Sequence, residues 1–346
     1  MEFFNKIKNA IAPKPETPEF TDVHQIIFNT AAQFEQGLKI ASQTMIPGAA
    51  ELQHITFVAM GGSMHPGFIL KTYLENIQCK KQINIVRDYT IPAWVSKKGF
   101  LILVSYSGNT AETLEAYKQA YREGYQMFVI ASGGKLQEAA EKNSTPFIAL
   151  PKGYQPRHSM YIMMGLVFQI MQNSGIIEKH EELFQEAVRI LKKPIFEDMG
   201  KQIAEKIGKK IPVIYATPKL IGAAERWKIC ITENAKMHSF YNVLPEMDHH
   251  EINAYATKIQ EIHAIFLVDE EETRLHRQRI SATKQIIKDF NYTTTEIVIK
   301  GPSYLSRLLS AMSIGDWTSY YCAQQMGVDP LKVEVVEKLK VILKGE

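Results

Sequence analysis

The chain has 346 residues, 45% of them hydrophobic, and sets 40 basic side chains against 37 acidic ones for a net charge of +3. That length holds two domains of ordinary size, and the near-balanced charge, with no long Lys/Arg block, argues against a nucleic-acid protein. Three cysteines, Cys79, Cys230 and Cys322, follow no metal-ligand spacing and read as buried thiols of a reducing compartment.

Residues 1–13 contain no apolar core of signal-peptide length, so a cytoplasmic protein is expected. Phe3, Phe4, Ile7 and Ile11 read as a helix face packed on its own domain rather than a membrane anchor. A strand at 55–60 runs into the glycine-rich turn Met60-Gly-Gly-Ser-Met-His-Pro-Gly, with a helix expected from Phe68. The glycines match neither the P-loop nor the dinucleotide fingerprint. A strand at 83–86 follows, then a second strand-to-helix turn: apolar 101–104, the cluster Ser105-Tyr-Ser-Gly-Asn-Thr, and a helix over 110–124 with Leu114, Tyr117 and Tyr121 as its stripe. Orphan amides and the helix dipole suit such a turn to an anion, and the hydroxyls add donors without charge. An ordinary N-capped helix is the competing reading there, as a tight turn without ligand is at Gly61-Gly62.

Strands at 127–131 and 147–150, with a helix at 135–142, extend the alternation, which predicts an α/β fold with a parallel sheet covered on both faces. The apolar run 160–171 is too short to span a bilayer and reads as a core or subunit-interface helix. A charged helical stretch from 176 to about 210, interrupted at Pro194, reads as the bridge between domains assigned to 1–175 and 176–346. The rhythm then restarts: strand 213–216, helix 220–235, strand 263–268, helix 274–289, strand 294–299. Two doubly wound α/β domains of like design are expected, with turns of successive units meeting at the carboxyl edge of a sheet.

Met60-Gly-Gly-Ser, Ser105-Tyr-Ser-Gly-Asn-Thr-Ala-Glu-Thr, Ala131-Ser-Gly-Gly-Lys-Leu, Gln155-Pro-Arg, Glu233-Asn-Ala-Lys, Pro245-Glu-Met-Asp-His-His-Glu-Ile and Gly327-Val-Asp-Pro with Leu339-Lys340 together resemble the sugar isomerase (SIS) fold, and more narrowly the bifunctional phosphoglucose/phosphomannose isomerase family. The resemblance covers residues from about 55 to the C-terminus. It implies two SIS domains and interconversion of glucose 6-phosphate, and of mannose 6-phosphate, with fructose 6-phosphate. It further implies a phosphosugar as the small-molecule partner, a homodimer, and no metal or redox cofactor. Ser63, Ser105, Ser107 and Thr110 would hold the phosphate, and Gly62 would let the backbone approach. Arg157 would lie beside an enediolate, Glu233 would be the base, and His249, reaching across from the partner chain, and Lys340 would open the sugar ring.

The chemistry suits these side chains. Moving a proton between adjacent carbons wants a carboxylate, the enediolate wants a fixed guanidinium, and ring opening near neutral pH wants an imidazole. Each also has a plainer reading. Glu233 can pair with Arg226 or Lys236 on the surface, Arg157 can cap a carbonyl or pair with an acid, and Lys340 can be a solvated lysine. His249 can be part of a polar helix start, or share its role with His250, which stands where the family commonly has asparagine. A non-catalytic phosphosugar-binding regulator and a SIS enzyme acting on amino sugars are the competing functional readings.

Overall fold

A computed structural model describes residues 22–179, 181–258 and 260–344. The Phe3, Phe4, Ile7 and Ile11 face lies outside the described residues. Two compact units are present, residues 28–192 and residues 193–344, the second joined by residues 22–27.

After α1 (Val23–Phe28) and α2 (Thr30–Ile40), the first unit alternates β1 (His54–Ala59), α3 (Gly61–Asn76), β2 (Gln82–Val86), β3 (Phe100–Val104), α4 (Ala111–Glu123), β4 (Met127–Ala131), α5 (Gly134–Lys142) and β5 (Phe147–Ala149). All five strands pair in parallel in the order β2-β1-β3-β4-β5. Every residue of β1, β3 and β4 is buried, the mark of a parallel sheet with helices on both faces. The apolar run expected as a core helix is α6 (Met160–Asn173), buried almost all the way round. Helix α7 (Glu181–Leu191) closes the unit, with Phe184 edge-on to Phe34 and Phe168.

The second unit begins at residue 193, and the helical stretch is interrupted at Pro194. It runs α8 (Ile195–Ile207), β6 (Ile211–Ala216), α9 (Ile221–Ala235), β7 (Phe240–Val243), β8 (Ile262–Asp269), α10 (Arg274–Asp289), β9 (Thr293–Ile299), α11 (Tyr304–Met326) and α12 (Glu334–Lys344). Its sheet is parallel in the order β7-β6-β8-β9. Both sheets therefore reverse strand order beside their first strand, between β1 and β3 and between β6 and β8. That is where open α/β sheets take ligands.

Helix α3 and strand β7 depart from the sequence reading, and helices α1, α2 and α11 lie in segments that it does not assign. Helix α3 starts at Gly61, not Phe68: Pro66 sits in its second turn, where the missing N–H costs one intrahelical bond, and burial of Met64 helps to offset that loss. Strand β7 occupies part of a segment read as loop, because a four-residue, half-exposed edge strand carries no clear alternation. Among the cysteines, Cys230 and Cys322 are buried as expected, whereas Cys79 is partly exposed.

His263, at the start of β8, is buried with Nδ1 2.7 Å from the Thr293 hydroxyl and Nε2 2.9 Å from that of Thr295. Burial, helped by Lys210 and Lys206, lowers its pKa from 6.5 to about 4. The folded imidazole stays neutral where the unfolded one is protonated, so its contribution is complete above pH 6.5 and is lost as pH falls toward 4. That difference is on the order of 2–3 kcal/mol. The expected outcome is that urea midpoints of the wild type fall more steeply between pH 6.5 and 4 than those of His263→Gln. Parallel curves would remove His263 as the source.

Candidate active site

Three helices, α3, α4 and α5, begin at the carboxyl ends of the adjacent strands β1, β3 and β4, so three positive dipole ends gather on one stretch of sheet edge. In the first turn, Ser63 is buried and its Oγ accepts the Tyr106 N–H at 2.9 Å, tying the turn after β1 to the turn after β3. In the second, Ser105 is buried with its Oγ 2.9 Å from the Thr110 Oγ1. Thr110 occupies the N-cap position of α4 with no side-chain cap bond to the helix, so its hydroxyl faces Ser105 instead of doing the ordinary capping job. Ser107 is exposed, and its Oγ accepts the Asn109 N–H at 3.2 Å.

Gly108 adopts φ +67°, and a Cβ there would stand 1.8 Å from the Gly133 carbonyl, so only glycine lets the second and third turns touch. Tyr106 knits the edge together. Its carbonyl accepts the Ser132 hydroxyl at 2.7 Å, and its own hydroxyl donates to the Pro151 carbonyl at 2.7 Å and accepts the Tyr154 N–H at 2.9 Å. Burial pushes this phenol up to about 12, so it keeps its proton as a donor. The Lys152 side chain lies over Gly133, its Nζ 3.8 Å from where a Cβ would stand, a cation the sequence reading did not single out.

Arg157 reaches this edge through the single turn Pro156–His158 that precedes α6, and it is buried. The reason Gly62 is a glycine is visible here: a Cβ on it would lie 2.8 Å from the Arg157 amide nitrogen and 2.9 Å from the Pro156 carbonyl carbon. The close approach is thus to the Gln155-Pro-Arg turn, which Gly62 admits against the start of α3. Gly62, Ser63, Ser105, Ser107, Thr110 and Arg157 are all brought to one sheet edge.

The second unit places its residues on three separate elements. Glu233 is half-buried in the last turn of α9. Nearby, Arg226 donates to Asp316 at 2.9 Å, and Lys236, at φ +56°, donates through Nζ to the carbonyls of Glu233 (2.7 Å), Asn234 (3.3 Å) and Asp329 (3.0 Å). The Asn234 amide donates to Ser319 at 2.9 Å, so the end of α9 is held firmly. His249 and His250 are exposed on the segment between β7 and β8, with His250 Nε2 3.8 Å from Glu246. Lys340 is exposed on α12 and paired with Glu337 at 2.7 Å. Among the described residues no three His, Cys, Asp or Glu side chains gather as metal ligands.

The switch point of the second sheet is built differently. Thr217, after β6, donates to Glu272, and Asp269, at the end of β8, pairs with buried Arg307 at 2.8 Å. Carboxylates compensated by an arginine fill the place where the first sheet offers hydroxyls and amides, so the anion cradle is not duplicated. This asymmetry was invisible in the sequence, since Asp269 and Arg307 meet only through the fold.

Two like parallel sheets, one with a hydroxyl- and glycine-lined anion cradle at its switch point, define a SIS-type protein. Residues 196–343 match the family described as the bacterial phospho-glucose isomerase C-terminal SIS domain. A bifunctional phosphoglucose/phosphomannose isomerase of Aquifex aeolicus is 34% identical over 84% of this chain and 90% of its own length. A D-glucosamine-6-phosphate 4-epimerase of Sulfolobus acidocaldarius is 37% identical over 62% of this chain and 67% of its own. In fold, the chain resembles the tagatose-6-phosphate ketose/aldose isomerase of Escherichia coli, with TM-score 0.68 and 15% identity over 92% of this chain and 96% of that one. The chain belongs to the bifunctional phosphoglucose/phosphomannose isomerase family.

Ser63→Ala removes the acceptor for the buried Tyr106 amide, together with the phosphate donor that the family resemblance implies. A lost hydrogen bond of about 1–2 kcal/mol corresponds to a KM raised roughly 5- to 30-fold, with kcat less affected. Steady-state kinetics in which kcat falls and KM stays fixed would argue against this placement.

Proposed function

We propose that this protein is an aldose–ketose isomerase that interconverts glucose 6-phosphate and mannose 6-phosphate with fructose 6-phosphate through an enediol. The observation that carries the reading is the cradle at the β1/β3 edge with buried Arg157 packed against its first turn, in a chain of this family. Gly62, Ser63, Ser105, Ser107 and Thr110 build the phosphate site. Glu233 takes the proton from one carbon and returns it to the next, Arg157 stabilises the enediolate oxygens, and His249 with Lys340 opens the ring. A proton shuttle of this kind calls for no metal or redox cofactor.

The exposure of His249 and Lys340, and of the apolar side chains Val335, Ile342 and Leu343 on α12, supports a homodimer in which His249 serves the partner's site. Light scattering should give twice the chain mass. No helix among the described residues is long and apolar enough to cross a membrane.

The test is incubation of the purified protein with fructose 6-phosphate, without added metal, detecting glucose 6-phosphate and mannose 6-phosphate separately. Both products are expected. Binding without turnover would shift the assignment to a regulatory phosphosugar-binding protein. The Sulfolobus relative named for a 4-epimerisation makes glucosamine 6-phosphate the competing substrate to include in the same assay.

A further inference from the structure

We propose that Asp248 and Glu251 are positioning residues that clamp the segment between β7 and β8 so that the histidines between them, His249 and His250, are held in a fixed presentation to the sugar ring. The proposal rests on the ring-opening role given above to the histidine.

The run Asp248-His-His-Glu251 has its outer members tied to the protein body and its inner members exposed. The Asp248 side chain is 7% exposed, and its two oxygens accept from Arg279 at 3.1 Å and Thr283 at 2.9 Å, both on α10. Glu251 accepts on one oxygen from the Tyr215 hydroxyl at 2.6 Å and on the other from the Asn242 amide at 2.5 Å, so it is bound to β6 and β7. Tyr215 is itself buried and shares a 2.7 Å hydrogen bond with Tyr255. Its burial, with Tyr255 and Glu251 beside it, drives its pKa up, so the phenol remains a donor.

Apolar anchors repeat the pattern, because Leu244 and Met247 before the histidines and Tyr255 after them are buried in the core of this unit. Connecting a strand to the next needs none of this. A carboxylate with a buried side chain and a second, half-buried one, satisfied between them from α10, β6 and β7, make sense as the support for groups that must not move.

Ring opening breaks the bond between the anomeric carbon and the ring oxygen. The anomeric hydroxyl gives up its proton to an imidazole and the ring oxygen receives one, leaving the composition unchanged. Both transfers demand an imidazole at hydrogen-bonding distance from a substrate fixed elsewhere by its phosphate, so a displaced histidine slows this step and leaves binding intact.

The test uses the full-length Glu233→Gln enzyme, in which isomerisation is silenced, and measures exchange between the anomers of fructose 6-phosphate by NMR. The parent variant should accelerate exchange above the spontaneous rate. Adding Glu251→Gln, which turns one acceptor oxygen into a donor facing another donor, should cut the acceleration about tenfold or more, while Kd for fructose 6-phosphate stays within about twofold. Full exchange in Glu251→Gln, where His249→Ala has lost it, would overturn the clamp and leave the ring-opening role standing. No acceleration by the parent, or full exchange after both histidines become alanine, would overturn the ring-opening role and the clamp with it. Should Glu251→Gln fail to fold or to bind, Tyr215→Phe removes one donor to Glu251 and decides by the same readout: slower exchange supports the clamp, unchanged exchange overturns it.

Discussion

Glu233→Gln is expected to lower kcat for fructose 6-phosphate roughly a hundred- to ten-thousand-fold, the usual contribution of a positioned general base. The substitution keeps the shape and removes the charge. The end of α9 that carries this side chain is fixed from outside it, by Lys236 on three carbonyls and by Asn234 on Ser319. The loss should therefore appear in kcat, with KM and thermal midpoint close to those of the wild type. A variant that isomerises at the wild-type rate would place the base elsewhere in the second unit, and the proton-transfer assignment would have to be rebuilt.

Asp316→Ala should destabilise the second unit by about 3–5 kcal/mol. Asp316 lies within α11, and both it and Arg226 of α9 are buried. One of its oxygens accepts from Arg226 Nε at 2.9 Å and from Cys230 Sγ at 3.1 Å. Removing the carboxylate takes from a buried guanidinium the acceptor it holds at 2.9 Å, whereas replacing both partners by apolar residues of similar volume, as in Arg226→Met with Asp316→Leu, should cost far less. Intrinsic fluorescence reports this directly. Trp227 and Trp317 are buried on the same two helices, while Trp94 in the first unit is 58% exposed and changes little on unfolding. Urea curves in which the single and double variants coincide would show that the pair contributes no more than its volume.

What was legible in the sequence was local. The hydroxyl cluster after β3 announces itself because its members are consecutive, and the two α/β units announce themselves through apolar strands alternating with striped helices. Contacts between distant residues were not legible. Nothing near Gly62 predicts that its missing side chain makes room for Arg157, ninety-five positions on, and nothing near Glu251 names Tyr215 as its donor. Helix α11 escaped notice for the opposite reason, since a helix buried on nearly all sides has no polar face to set a period. The roles of Arg157, Glu233, His249 and Lys340 came from resemblance, and the fold adds the surroundings that make each of them testable.

The cradle at the first sheet edge has one more consequence. Its turns are bonded to one another through Tyr106, Ser63 and Ser132, so an anion taken there would meet a preformed hook rather than a pliable hand. A hexose 6-phosphate hung there is held at one end of its carbon chain, while the stereocentre that separates glucose from mannose lies at the other. A hook at carbon six is blind to the handedness of carbon two. Tolerance of both epimers is therefore the default of this anchoring, and any preference between them has to be imposed by side chains that meet the far end of the sugar.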